Sequence, residues 1–368
     1  MNRRRVLVSL TGLCLALGLA MAFRIPAARS LPAGRHTDDP SGSLWSKTMP
    51  VPEPADVKQR GVALGLFAED VSFSYAPMLK EIAALGATHV SLVVPLYQTN
   101  AASTALKLDT RLSPTLDAIA DAIRLSRREG LEVTLFPIVR LSDPRSSKEW
   151  RGTLAPANRD AWFASYGQLL ADLASLGALT GASRLVVGSE LSSLDGDRAH
   201  WQPLVARIRA LFPGTLVYSA NWDHYQDAGL YDLVDEIGVV AYFSLREKDG
   251  PGDVAALTER WRSVRREIES NLAAYAKPFV LTELGYRSRT GATAAPWDEV
   301  LGGVPDVDEQ TRAFQAFRQA WTARGQTSSR LAGLYVWNWY GYGGPETTSY
   351  TPRGKPAVDV IRKILDEM

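Results

Sequence analysis

Two carboxylates occupy matching places in this 368-residue sequence. Glu190 closes the run "RLVVGSEL" (184–191), and Glu283 lies in "PFVLTELGY" (278–286). In each, a β-branched apolar run meets a polar residue and a Gly around the Glu. That is how a buried strand looks as it emerges at a surface. Two carboxylates held about 5–5.5 Å apart can split a glycosidic bond by double displacement. One attacks the anomeric carbon, and the other, kept protonated by its surroundings, hands a proton to the leaving oxygen. A single Glu at a strand end is ordinarily a solvated loop residue or an ion-pair partner. The chemistry therefore depends on whether the two share one rim.

The elements that must position them follow a regular order. Eight short apolar runs read as strands: 61–67, 89–97, 132–141, 184–191, 215–222, 237–243, 278–286 and 331–340. They are continuous rather than alternating, as parallel strands buried on both faces are. Helical patterns lie between them at 75–87, 113–130, 158–181, 200–214, 253–276, 308–325 and 357–368, with a short one at 228–236. For 113–130 the reading places Ser113 as cap, Pro114 in the first turn and Gly130 at the stop. Eight strand–helix repeats predict an α/β fold, a single (β/α)8 TIM barrel over 59–368. A doubly wound open sheet would carry a Gly-rich turn after its first strand, where this chain has "GLFAED". In a barrel, Glu190 at strand four and Glu283 at strand seven reach the same C-terminal rim.

Aromatic residues gather at the same strand exits: Tyr97, Trp222, Tyr242, Phe243, Tyr286, Trp337, Trp339, Tyr340 and Tyr342. A sugar presents an apolar C–H face that an aromatic plane matches, although Trp and Tyr also serve as core residues with a polar tip. Trp162 and Trp261, within helical patterns, fit the core. The crowding in "VWNWYGYGG" (336–344) fits a binding rim better. Arg140 and Asp143, at the end of strand three, either bind substrate or pair with each other. His89 heads strand two and belongs at the barrel bottom. The four His have no paired spacing, which argues against a catalytic zinc site, so no metal ligands are assigned.

These residues resemble the clan A glycoside hydrolases, with an acid/base Glu on strand four, a nucleophilic Glu on strand seven and a Trp on strand eight. "LTELGYRSRTGATAAPWDE" (281–299) followed by "YVWNWYG" (335–341), together with "VGSEL", resembles glycoside hydrolase family 113 more narrowly. The resemblance implies a retaining endo-β-mannanase without a cofactor. It makes Glu190 the acid/base, Glu283 the nucleophile, Tyr242 the hydrogen-bond partner of the nucleophile and Trp337 the sugar platform at the cleavage point. Tyr97, Arg140, Trp222, Tyr286 and Trp339 join them as candidate substrate contacts. Ser189 departs from the clan pattern, in which Asn precedes the acid/base and binds the sugar 2-hydroxyl. Ser cannot donate an amide N–H. Either Asn221 or a different 2-hydroxyl geometry would compensate.

Composition narrows the partners. A formal net charge of +1, with acids and bases interspersed, gives no reason to expect nucleic acid. The start, "MNRRR" and then the apolar run 6–23, reads as a signal peptide or membrane anchor over 1–28. A disordered linker is expected over 29–58. The lone Cys14 falls in the first of these segments, so the exported chain has no disulfide. The expectation is an exported monomer acting on a polysaccharide, tethered at its N-terminus if the leader is retained. The alternative is a non-catalytic carbohydrate-binding barrel of the cell envelope. A metabolic barrel enzyme would instead need phosphate-binding Gly loops after strands seven and eight.

Overall fold

The run "HVSLVVPLYQ" contains no position that faces water: every residue of β2 (His89–Gln98) is buried. It pairs in parallel, residue for residue, with β3 (Glu132–Leu141). In the computed structural model, which describes residues 58–368 apart from 71, 301 and 324–327, these two strands form one side of a closed barrel. The remaining strands are β1 (Gln59–Gly65), β4 (Arg184–Ser189), β5 (Thr215–Ala220), β6 (Glu236–Val240), β7 (Phe279–Leu284) and β8 (Leu331–Val336). β8 pairs with β1 and closes the ring. The fold is therefore the expected (β/α)8 barrel. The leader assigned to 1–28 and nearly all of the linker assigned to 29–58 lie outside the described residues. Among those described, no helix is long and apolar enough to cross a membrane.

The barrel interior is layered. At its lower end Gln59 donates Nε2 to both oxygens of Glu236 (3.0 and 3.1 Å), and Tyr335 donates its hydroxyl to Gln59 Oε1 at 3.0 Å. His89, fully buried, sits edge-on to Tyr335, so it lies at the bottom as expected. Above these polar groups come Ala63, Val93, Phe136, Val186, Val217 and Val240, an apolar plug that separates them from the upper rim.

The outer helices are α1 (Ala76–Ala84), α2 (Leu116–Arg128), α3 (Arg159–Thr180), α4 (Arg198–Leu211), α5 (Val254–Asn271), α6 (Val307–Trp321) and α7 (Ala357–Glu367). Side-chain oxygens cap α3, α5 and α6 through Asn158, Asp253 and Asp306. In α2 the cap is Thr115, not Ser113: Thr115 accepts from the Ala118 N–H, while Ser113 donates to the Pro95 carbonyl at 2.7 Å. The residues after β5 form two 3-10 turns, Tyr225–Asp227 and Tyr231–Leu233, in place of the helix expected over 228–236. Lys277 donates Nζ to the carbonyls of Tyr231 and Val234, binding backbone that a helix would have used internally.

Candidate active site

Both carboxylates emerge where strand pairing is irregular. The β4–β5 register shifts between Val186 and Gly188, two residues before Glu190. On β7, regular pairing with β8 skips from Leu281 to Leu284, across Glu283. Such irregularities re-aim a side chain at a barrel rim. The adjoining glycines are there for space. A Cβ at Gly188 would meet the Tyr218 ring at 2.9 Å, and one at Gly285 would meet the Trp337 carbonyl oxygen at 2.5 Å. Glu190 itself has φ +54°, a left-handed conformation that costs a non-Gly residue energy. Its N–H donates to the Ser219 carbonyl at 2.8 Å, which ties the turn to β5.

Glu283 is 1% exposed, and its Oε2 accepts from the Tyr242 hydroxyl at 2.9 Å. Its Oε1 is buried without a partner. Burial, with the charge of Glu190 added, pushes the Glu283 carboxyl up to about 8, against the pull of Arg151 and the Tyr242 bond. Glu190, directly after β4, and Glu283, near the end of β7, share the C-terminal rim of the barrel. Tyr242 is in turn raised well above the usual phenol range, by burial and then by the charge of Glu283. Glu190, 4% exposed, is paired with Arg151, whose Nε donates to Oε2 at 2.6 Å and whose Nη2 reaches the same oxygen.

Trp337 is buried beside Tyr242 and Tyr350, and its N–H donates to the Leu284 carbonyl at 2.8 Å, next to Glu283. It lines an open cleft of about 280 Å³ with Phe67, Arg140, Arg151, Glu299, Asn338, Tyr340 and Tyr350. Glu190 and Glu283 are not part of the cleft's open lining.

The chain that builds this site matches the model of glycoside hydrolase family 113 over residues 67–350. The chain belongs to glycoside hydrolase family 113. It is similar to a family 113 β-mannanase from Alicyclobacillus acidocaldarius, solved in complex with ManMIm. The two share 25% identity over 84% of this chain and 97% of that one, with a TM-score of 0.73. A further family 113 β-1,4-mannanase gives a TM-score of 0.74 at 21% identity, over 85% of this chain and 100% of that one, a likeness of fold. A β-glucuronidase from Dictyoglomus thermophilum gives 0.57 at 14% identity, over 85% of this chain and 51% of that one, also a likeness of fold. A search of curated protein sequences finds no match.

The family 113 barrel gathers some sequence-assigned residues and sends others elsewhere. Ser189 is buried next to Glu190 with its hydroxyl unpartnered. Asn221 lies at the end of β5 and donates Nδ2 to Asp223 at 2.7 Å. Arg140 lines the cleft with its guanidinium 5.8 Å from the Phe67 ring centroid, and no ion pair with Asp143 forms among the described residues. Trp222 stacks on Trp297 at 4.8 Å.

Three more assigned residues lie outside the cleft lining. Tyr286 is fully buried with its ring edge-on to Phe314 of α6, because the chain turns under that helix directly after β7. Trp339 belongs to the outer core, where its Nε1 donates to Glu81 of α1 at 2.7 Å. Tyr97 is buried at the end of β2 with its backbone bridged to Lys107, outside the cleft lining. Arg151, Glu299 and Tyr350 line the cleft without having been expected from the sequence. Arg151 sits in a short 3-10 turn, Arg151–Thr153, inside a polar connector with no periodic pattern to mark it. A signal for Glu299 and Tyr350 existed: they end and follow the two motifs that carry the family resemblance.

Proposed function

We propose that this glycoside hydrolase is an exported, retaining endo-β-mannanase working through two glutamates. The observation that carries the reading is the hydrogen bond from Tyr242 to Glu283 Oε2, made within the field of Glu190. It leaves Glu283 Oε1, the oxygen that would attack, without a hydrogen-bond partner. In the first step Glu283 bonds to the anomeric carbon, and the glycosidic oxygen leaves with a proton from Glu190. In the second, Glu190 takes a proton from water, the water oxygen replaces Glu283 on that carbon, and the β-configuration returns. Trp337 supplies the wall against which the sugar flattens.

The likeness to a β-mannanase at 25% identity supports mannan as substrate. The basic start followed by the apolar run 6–23 supports export. The test is a reducing-sugar assay across a panel of β-glycans, with ¹H NMR of the first product released. Turnover of β-1,4-mannan with initial β-anomer is expected. An initial α-anomer would remove the retaining mechanism, and turnover confined to another glycan would remove the substrate.

A further inference from the structure

Deepening that reading, a second aromatic surface stands at the rim, outside the cleft. Trp297 stacks on Trp222 with ring centroids 4.8 Å apart and planes inclined by 22°. Phe243 meets Trp222 edge-on at 6.0 Å, so Trp222 is held between two rings. Trp297 has one face on Trp222 and is 42% exposed, whereas the other described tryptophans are buried or half-buried. A large apolar ring left open to water adds little to folding, and its face matches the C–H face of a sugar.

The loop that carries Trp297 is tied down on both sides of it. The Pro296 carbonyl accepts from the Tyr350 hydroxyl at 2.5 Å, the Asp298 carbonyl from Arg289 Nη2 at 3.3 Å and the Glu299 carbonyl from Arg287 Nη1 at 2.6 Å. A backbone fixed in this way presents the ring without the entropy cost of ordering it when a ligand binds. Arg287, Glu299 and Tyr350 also line the cleft, so the loop of Trp297 continues from the cleft wall.

The barrel sets this surface across the ring from Phe67, an aromatic of the cleft. Phe67 stands two residues beyond β1 and Trp222 two beyond β5, and these strands are opposite in an eight-stranded ring. Both pack against the interior cluster that contains Tyr242, Trp337 and Tyr350. The leaving sugar must lie on the side of the acid that protonates it. Glu190 donates its N–H to Ser219 of β5, three residues before Trp222. We propose that Trp297, backed by Trp222, is the platform for a sugar on the leaving-group side of the bond that is cut. This rests on the assignment of Glu190 as the acid. With Trp337 against the sugar at the cleavage point, the two platforms hold the glycan on both sides of that bond, as cleavage within a chain requires.

The test compares two substrates that differ in their leaving group. β-1,4-Mannopentaose is cut to release a sugar, which occupies the Trp297 side, whereas β-mannobiosyl fluoride releases fluoride and leaves that side empty. In Trp297→Ala the ratio of kcat/KM on the pentaose to kcat/KM on the fluoride should fall about tenfold, and Trp297→Phe should recover much of it. Transfer to added mannobiose, which enters on the same side, should fall with it. A ratio equal to that of the wild type would overturn the proposal, whether both rates fell together, as for a structural residue, or neither did. A second measurement needs no turnover. Glu283→Gln protein carrying 5-fluorotryptophan, with the Trp297 resonance assigned by Trp297→Phe, is titrated with mannopentaose, cellopentaose and xylopentaose. A Trp297 shift there, beside a wild type that cleaves none of the three, would defeat the glycosidase reading and keep the platform. A Trp297 resonance unmoved by all three would overturn the platform, with or without cleavage.

Discussion

Tyr242 donates its hydroxyl hydrogen to Glu283 Oε2 across 2.9 Å, from the end of β6 to the end of β7. The bond orients one carboxylate oxygen and leaves the other unpartnered. It also opposes the burial that raises the Glu283 carboxyl. Tyr242→Phe should therefore lower kcat by about tenfold to a hundredfold, the worth of one hydrogen bond to a charged group. The acid limb of the rate profile, where Glu283 ionises, should move to higher pH. An unchanged acid limb would detach Tyr242 from the ionisation of Glu283.

The buried carboxyl also has a stability signature. The Glu283 carboxyl is raised in the folded protein from its ordinary 4.5 to about 8. The folded state thus holds this proton more tightly than the unfolded chain. The associated stability is present in full below pH 4.5 and is lost as pH rises through about 8. Glu283→Gln cannot ionise, so its Tm should overtake that of the wild type as pH is raised from about 5 to about 9. Parallel Tm curves for the two proteins would show that Glu283 is not held protonated by the fold.

Two tryptophans two residues apart should fail in different ways. Trp337 touches the cleft, whereas Trp339 ties β8 to Glu81 of α1. Each truncation to Ala should cost about 3–5 kcal/mol of stability, seen in denaturant unfolding. Only Trp337→Ala should also lower kcat per folded molecule, because its ring is the proposed platform for the sugar that changes shape in the transition state. Equal kcat per folded molecule in the two variants would return Trp337 to the core.

The roles of the two carboxylates separate by leaving group. Glu190→Ala should retain turnover on aryl glycosides with acidic leaving groups, which need little protonation, and azide should restore more of its rate. Glu283→Ala should be inactive on every glycoside. Identical responses of the two variants to leaving group and azide would reverse or remove the assignment.

How far the sequence could be read depended on whether a residue's surroundings were local. β3 runs over the expected 132–141, because ten continuous apolar-rich residues carry their own signal. Glu190 and Glu283 were visible because each ends such a run. Tyr286 and Trp339 look like rim aromatics in sequence, and only the packing of Phe314 and the distant Glu81 makes them structural. Arg151 was invisible for the opposite reason. It stands in an irregular connector, 39 residues before the carboxylate it binds, where no periodicity points to a partner. The short segment after β5 read as a helix, but Lys277 and the 3-10 turns claim its backbone.

As the proposed nucleophile, Glu283 must form a covalent bond to the sugar. The direct measurement is peptide mass mapping after incubation with an activated 2-deoxy-2-fluoro-β-mannoside, which slows the release of a glycosyl-enzyme. One added fluoromannosyl group is expected, located on the peptide containing Glu283 and absent from Glu283→Gln. A label on Glu190, or no label while the enzyme still turns over mannan, would contradict it.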